Sequence, residues 1–149
     1  MQSLFDSNTN EGIINRINSL TVDSKNESGK MNVSQMLKHS QQPLLVAFGD
    51  KKLKRGLMGI LFGNMAKKAF LKPGDFKRNL PTDPSFLVKD QKKFEEEKQK
   101  LIELVKRFAA SGPADISKDP HPFFGKLTVE EWDTLQIKHL DHHLRQFGV

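Results

Sequence analysis

Five histidines stand in this 149-residue chain, and four of them fall within residues 121–149. His139, His142 and His143 belong to one run, Lys138-His139-Leu140-Asp141-His142-His143. On a helix turning about 100° per residue, His139 and His143 lie about 40° apart, in the middle of the face that carries Trp132 and Leu135. His142 sits near the edge of that face and Asp141 points away. Two imidazoles four residues apart can aim ring nitrogens at one point, with metal–nitrogen bonds of about 2.0–2.1 Å. The plainer alternative is a pair of packed or surface histidines favoured by a helix C-terminus. Burying two neutral rings beside Trp132 and Leu135 requires a partner for each, because unpaired buried polar groups are costly. A shared cation would partner both.

Such a cation needs a third ligand. His39 is the best candidate, since it follows Met36 and Leu37 on the apolar side of its own helix, with Gln35 one turn earlier. His121 is the runner-up, but it precedes Pro122 in a connection and reads more readily as a turn residue. Gln35, Gln136, Gln146 and His142 are candidates to support the ligands or line a pocket, and no general base can be named. Three histidines without a carboxylate would leave one coordination position open, the layout of a catalytic rather than a closed structural site. Imidazole suits several divalent metals, so zinc, nickel, iron or manganese all remain open, as does copper.

Other chemistries are excluded. With no cysteine, the chain has no disulfides, cysteine-based zinc fingers, iron–sulfur clusters or thiol nucleophiles. Leu140 after His139 breaks the His-Glu-x-x-His metalloprotease signature. The paired Glu-x-x-His pattern of di-iron bundles and the phosphate-cradling glycine loop are absent. No run approaches the ~20 apolar residues of a membrane span. No secretory signal is visible at the N-terminus, so a cytoplasmic setting is expected.

The elements that must position these histidines follow from caps and periodicity. The length suits one domain, residues 1–149. Asn10 is expected to cap a first helix with the stripe Ile13, Ile14, Ile17 and Leu20. Asn32 should cap a second, with Val33, Met36, Leu37, Leu44 and Ala47 on one side, Pro43 inside and Gly49 at its end. Lys51 to Phe70 reads as a shorter basic helix broken by Gly56, Gly59 and Gly63. Asp83-Pro84 reads as the start of a long helix ending at Gly112-Pro113. That helix would hold about 27 residues, or ~40 Å. Thr128 to Glu131 forms a capping box, with Leu127 and Trp132 placed as a hydrophobic staple, for a last helix running to about Phe147. No stretch shows strand-like alternation. The expected fold is all-α, a four-helix bundle with long crossover connections and a short extra basic helix.

The net charge of +6 is concentrated. Residues 50–78 hold nine Lys and Arg against Asp50 and Asp75, a local balance of +7. A patch of this kind can be a solvated helix face, or it can draw phosphates, nucleic acid, anionic lipid or a partner chain. The absence of helix-turn-helix spacing and the scattered aromatics argue against nucleic acid.

The stretches Met31 to His39 and His121 to Gly148 together resemble the DinB/YfiT-like superfamily of metal-dependent four-helix bundles, in particular a branch described only as a domain of unknown function. The runs His-Pro-Phe-Phe-Gly-Lys-Leu-Thr, Glu-Glu-Trp and His-Leu-Asp-His-His-Leu-Arg-Gln-Phe carry most of the resemblance, and Asn79 to Pro84 adds to it. The resemblance implies one divalent metal held by His39, His139 and His143. It also implies a small-molecule substrate, with either thiol-cofactor transferase or isomerase chemistry, or no assigned activity. A hydrolase and a non-enzymatic stress or interaction protein remain alternatives, and a homodimer is open.

Overall fold

The computed structural model describes residues 2–76 and 84–149, and among these it is all-helical. The elements are α1 (Ser7–Ser19), α2 (Val33–Ala47), α3 (Leu57–Leu71), α4 (Phe94–Ser111) and α5 (Val129–Arg145), with 3₁₀ turns at Pro84–Phe86 and Pro113–Asp115.

Two of the expected helix starts are formed as full capping boxes. Asn32 Oδ1 accepts from the Gln35 amide at 2.9 Å while Gln35 Oε1 accepts from the Asn32 amide at 3.0 Å. Thr128 and Glu131 do the same at the head of α5, at 3.2 and 2.9 Å. Each box satisfies two amides that have no partner within the helix. Gly49 and Gly148 lie past the ends of α2 and α5 at φ 76° and 73°, the left-handed conformation that glycine enters without a Cβ penalty.

Other boundaries differ from expectation. The cap of α1 is Asp6, whose Oδ1 accepts from the Thr9 amide at 2.8 Å. Asn10 is buried one turn into the helix, where Nδ2 donates to the carbonyls of Leu4 at 2.8 Å and Val105 at 2.7 Å. The apolar stripe starts at Ile13, which places the apparent start one turn late. The third helix begins at Leu57 rather than Lys51, because Gly56 is extended and the preceding cations oppose the positive N-terminal end of the helix dipole. The fourth spans 18 residues rather than about 27. Pro84 opens only a 3₁₀ turn, and its expected cap, Asp83, lies outside the described residues. Lys89 to Lys93 offer no apolar stripe, whereas Glu95, Glu96 and Glu97 give Phe94 a favourable first turn. The last helix ends at Arg145, two residues short of Phe147, where Gln146 serves as its C-cap.

Packing closes the bundle. α4 lies against α1 and α2, and α5 lies against the same two helices. α1 and α2 therefore face each other across one diagonal, and α4 and α5 across the other. The connections 20–32 and 112–128 each cross a diagonal, which accounts for their length. Met36, Leu37, Leu44, Ile17, Leu101, Val105, Phe108, Trp132, Leu140 and Leu144 fill the centre with almost no exposure. α3 stands outside this ring and packs on α5.

Asn10 ties α1 to α4 through carbonyls that have no water to turn to. Asn10→Ala should therefore lower stability by about 2 kcal/mol in urea unfolding; a change under about 0.5 kcal/mol would show that these acceptors find other donors.

Candidate metal centre

The bundle sets α2 beside α5 as neighbouring corners, and with it His39 beside His139 and His143. His39 Nε2 lies 3.1 Å from His139 Nε2, and His143 Nε2 lies 3.1 Å from the same atom. Their ring centroids are 4.5–5.0 Å apart. His39 and His143 are buried at 3% and 7% exposure, while His139 is partly buried. Among the described residues these three are the group of metal-ligating side chains that converges, and it includes no carboxylate.

The outward nitrogens set the chemistry of the inward ones. His39 Nδ1 lies 2.9 Å from the carbonyl of Phe86, which can only accept, so Nδ1–H donates. His143 Nδ1 likewise donates to Gln146 Oε1 at 2.7 Å. A neutral ring with its proton on Nδ1 carries a lone pair on Nε2. Two such lone pairs therefore face His139 Nε2, and one proton there can serve only one of them. A cation satisfies all three at once. In tetrahedral geometry with bonds of about 2.0–2.1 Å, ligand nitrogens stand about 3.3 Å apart, close to the 3.1 Å of the two pairs that His139 makes, and all three ligand atoms lie within 4.8 Å of one another. The donor set fits a divalent metal, and the cluster can hold one.

Electrostatics point the same way. Burial and then the neighbouring histidines hold His139 well below the ordinary imidazole value. Burial, with His39 close by, brings His143 down to about 3 against the opposing bond from Gln146. Burial also lowers His39, partly offset by the Phe86 carbonyl. All three rings are thus neutral at pH 7, the state a metal ligand requires.

The supporting residues sort themselves. Gln146 supports the site, as its spacing suggested. With His142 it also lines a cavity of about 170 Å³ that includes Phe76, Lys138, Asp141 and Arg145. His142 packs edge-on against His143 at 5.0 Å. Gln136 is buried one turn before His139, and its Oε1 has no hydrogen-bond partner among the described residues. Gln35 is spent on the α2 capping box and on the Asp90 carbonyl, so it does not reach the cluster. His121 stays in its loop. It bridges to Gly125, and its Nδ1 accepts from the amides of Phe123 and Phe124 at 3.0 and 3.1 Å while its ring packs on Trp132.

Two contributors left no mark in the sequence. Phe86 acts through its backbone carbonyl, which any residue could supply. Lys51 holds the turn that presents it, donating to Ser85 O at 3.2 Å and Gln42 Oε1 at 2.6 Å, with its Nζ 5.2 Å from the Phe86 ring centroid.

Neutral histidines in the folded chain take up protons on unfolding once the pH drops below about 6.5, so stability falls with pH in that range. In chelator-treated protein His143, held down to about 3 by burial, should cost roughly 1 kcal/mol per pH unit below that point, and His39 and His139 add in the same direction. The thermal midpoint should drop between pH 7 and 5, and drop less steeply in His143→Gln. Equal slopes for the two proteins would show that His143 does not carry this linkage.

The comparisons add one assignment. Neither a curated protein nor a solved structure matches the chain. A family model described as "Protein of unknown function (DUF1569)" matches residues 3–148, nearly the whole chain, and the chain therefore belongs to that family.

Proposed function

We propose that this chain is a metal-dependent enzyme in which His39, His139 and His143 hold one divalent cation and leave a coordination position for water or a substrate thiol. The observation that carries this reading is the convergence of three Nε2 atoms whose neighbours at Nδ1 force at least two lone pairs inward. The all-imidazole set favours zinc, nickel or iron over manganese, which prefers carboxylate and water oxygen. Bound there, a divalent cation supplies Lewis acidity that acidifies a water or thiol in its free position.

The chain's own groups do the rest. The Phe86 carbonyl and Gln146 fix ring orientation and raise the basicity of the ligand nitrogens. Leu140, Leu144 and Met36 exclude water from the helix faces that carry the rings. Gln146, which touches both His143 and the 170 Å³ cavity, links the site to space for a small substrate. The reaction class in this reading is hydrolysis or thiol transfer. The arrangement of one histidine on α2 and two, four apart, on α5 is also what supports placing the chain in the DinB-like superfamily.

Protein purified without a polyhistidine tag should contain or take up about one zinc, nickel or iron per chain, measured by elemental analysis and titration calorimetry. His139→Ala should abolish stoichiometric uptake while leaving the helical content intact. Uptake equal to that of the parent chain would remove these histidines from the ligand set.

A further inference from the structure

The bundle and the histidine cluster leave α3 without a role. Its inner side is built for close approach. A Cβ on Gly59 would meet the carbonyls of Pro122 and Phe123 at 2.9 Å, and one on Gly63 would meet Phe123 O at 2.2 Å. The helix is also pinned from below. Lys138 Nζ donates to the carbonyls of Phe70 at 2.7 Å and Lys72 at 2.8 Å, and Lys67 Nζ pairs with Glu131 at 2.7 Å. With its glycines turned inward, α3 presents Leu57, Met58, Ile60, Leu61, Phe62 and Met65 outward, each 42–70% exposed. Six of the eight large hydrophobic side chains exposed among the described residues lie on this one helix. A contiguous apolar face of this kind marks an interaction surface.

Charge identifies what the surface meets. Residues 51–74 contain seven Lys and Arg and no Asp or Glu. Lys52, Lys54 and Arg55 are exposed just ahead of the α3 N-terminus, where the helix dipole disfavours cations and no side-chain cap is present; Lys52 has one exposed acidic neighbour, Asp119 at 3.5 Å, and Arg55 donates to the Gly59 carbonyl at 3.2 Å. Lys68 and Lys72 are exposed at the other end. Among the described residues Lys54, Lys68 and Lys72 pair with no carboxylate, and an anionic partner would satisfy them together with the exposed Lys52 and Arg55. A second copy paired through α3 would set cation against cation, with only the exposed Asp119 beside Lys52, and Glu131 already paired with Lys67, to offset them. A nucleic acid would satisfy the cations but offers no apolar surface for six large side chains. An anionic bilayer supplies both: phosphates for the cations and an acyl boundary for the apolar face. No described helix is long and apolar enough to cross a membrane, so the contact is peripheral.

We propose that α3 is a docking face for an anionic lipid surface, with Leu57, Met58, Ile60, Leu61, Phe62 and Met65 entering the headgroup–acyl boundary and Lys52, Lys54, Arg55, Lys68 and Lys72 meeting lipid phosphates.

The test is co-sedimentation of the full chain with phosphatidylcholine vesicles, with and without a one-third share of phosphatidylglycerol. The chain should pellet with the anionic vesicles only and be released by salt. Leu61→Glu should weaken binding about ten-fold or more, as should the triple variant Lys52→Gln, Lys54→Gln, Arg55→Gln, because each cation near such a surface contributes about five-fold. All four positions are solvent-facing, so circular dichroism should match the parent chain in both variants. Absence of sedimentation with either vesicle would overturn the proposal. So would a concentration-dependent dimer, or capture of an acidic protein or DNA, that Leu61→Glu abolishes while vesicle binding is absent or unaffected.

Discussion

Three imidazole nitrogens that converge on one point, at least two of them presenting lone pairs, are the constraint on which the rest of this structure depends. Such an arrangement is unfavourable in a dry interior unless something positive sits among the nitrogens or a proton is shared imperfectly. The chain makes it persist by fixing the opposite nitrogen of two rings, on the Phe86 carbonyl at 2.9 Å and on Gln146 at 2.7 Å. Neither bond exists without a defined backbone around it. One requires the turn at Pro84–Phe86, and the other requires α5 to continue to its cap at Gln146.

The bundle can be understood as the device that brings these parts together. α2 and α5 are adjacent because α1 and α4 occupy the other two corners, and the two crossovers give the chain the length to reach them. Capping boxes at Asn32 and Thr128 set where α2 and α5 begin, and hence the phase at which His39, His139 and His143 emerge. Seven residues past Trp132, His139 lies about 20° off the direction of that indole, so the largest core side chain and the histidine pair share one face. Lys51 adds a tie from outside the bundle. By holding Ser85 it steadies the turn whose next residue orients His39.

Much of this is legible in the sequence because local physics writes it there. Capping boxes, the period of Met36, Leu37 and Leu44, and the four-residue spacing of His139 and His143 are short-range patterns, and each appears in the structure where its residues place it. The partnership of His39 with the pair on α5 is also legible, since an unpaired histidine on an apolar face demands an explanation. The readings that differ depended on weaker or longer-range information. Asn10 carries a capping side chain but is spent on a tertiary contact with Val105. Gln35 sits one turn from His39 yet is consumed by its own helix cap. Pro84 marks a helix start on local grounds, but the chain there serves His39 through a carbonyl, and backbone carbonyls leave no trace in residue type. The outward face of α3 is equally hidden, because apolar residues on both sides of its glycines do not reveal which side is covered.

The central claim is that three imidazole nitrogens hold one metal ion in common. X-ray absorption at the zinc edge of tag-free, zinc-loaded protein reads that claim directly. Three imidazole nitrogens and one lighter ligand at about 2.0–2.1 Å are the predicted result. A six-coordinate oxygen shell without imidazole scattering would contradict the account and leave His39, His139 and His143 as core residues sharing a proton.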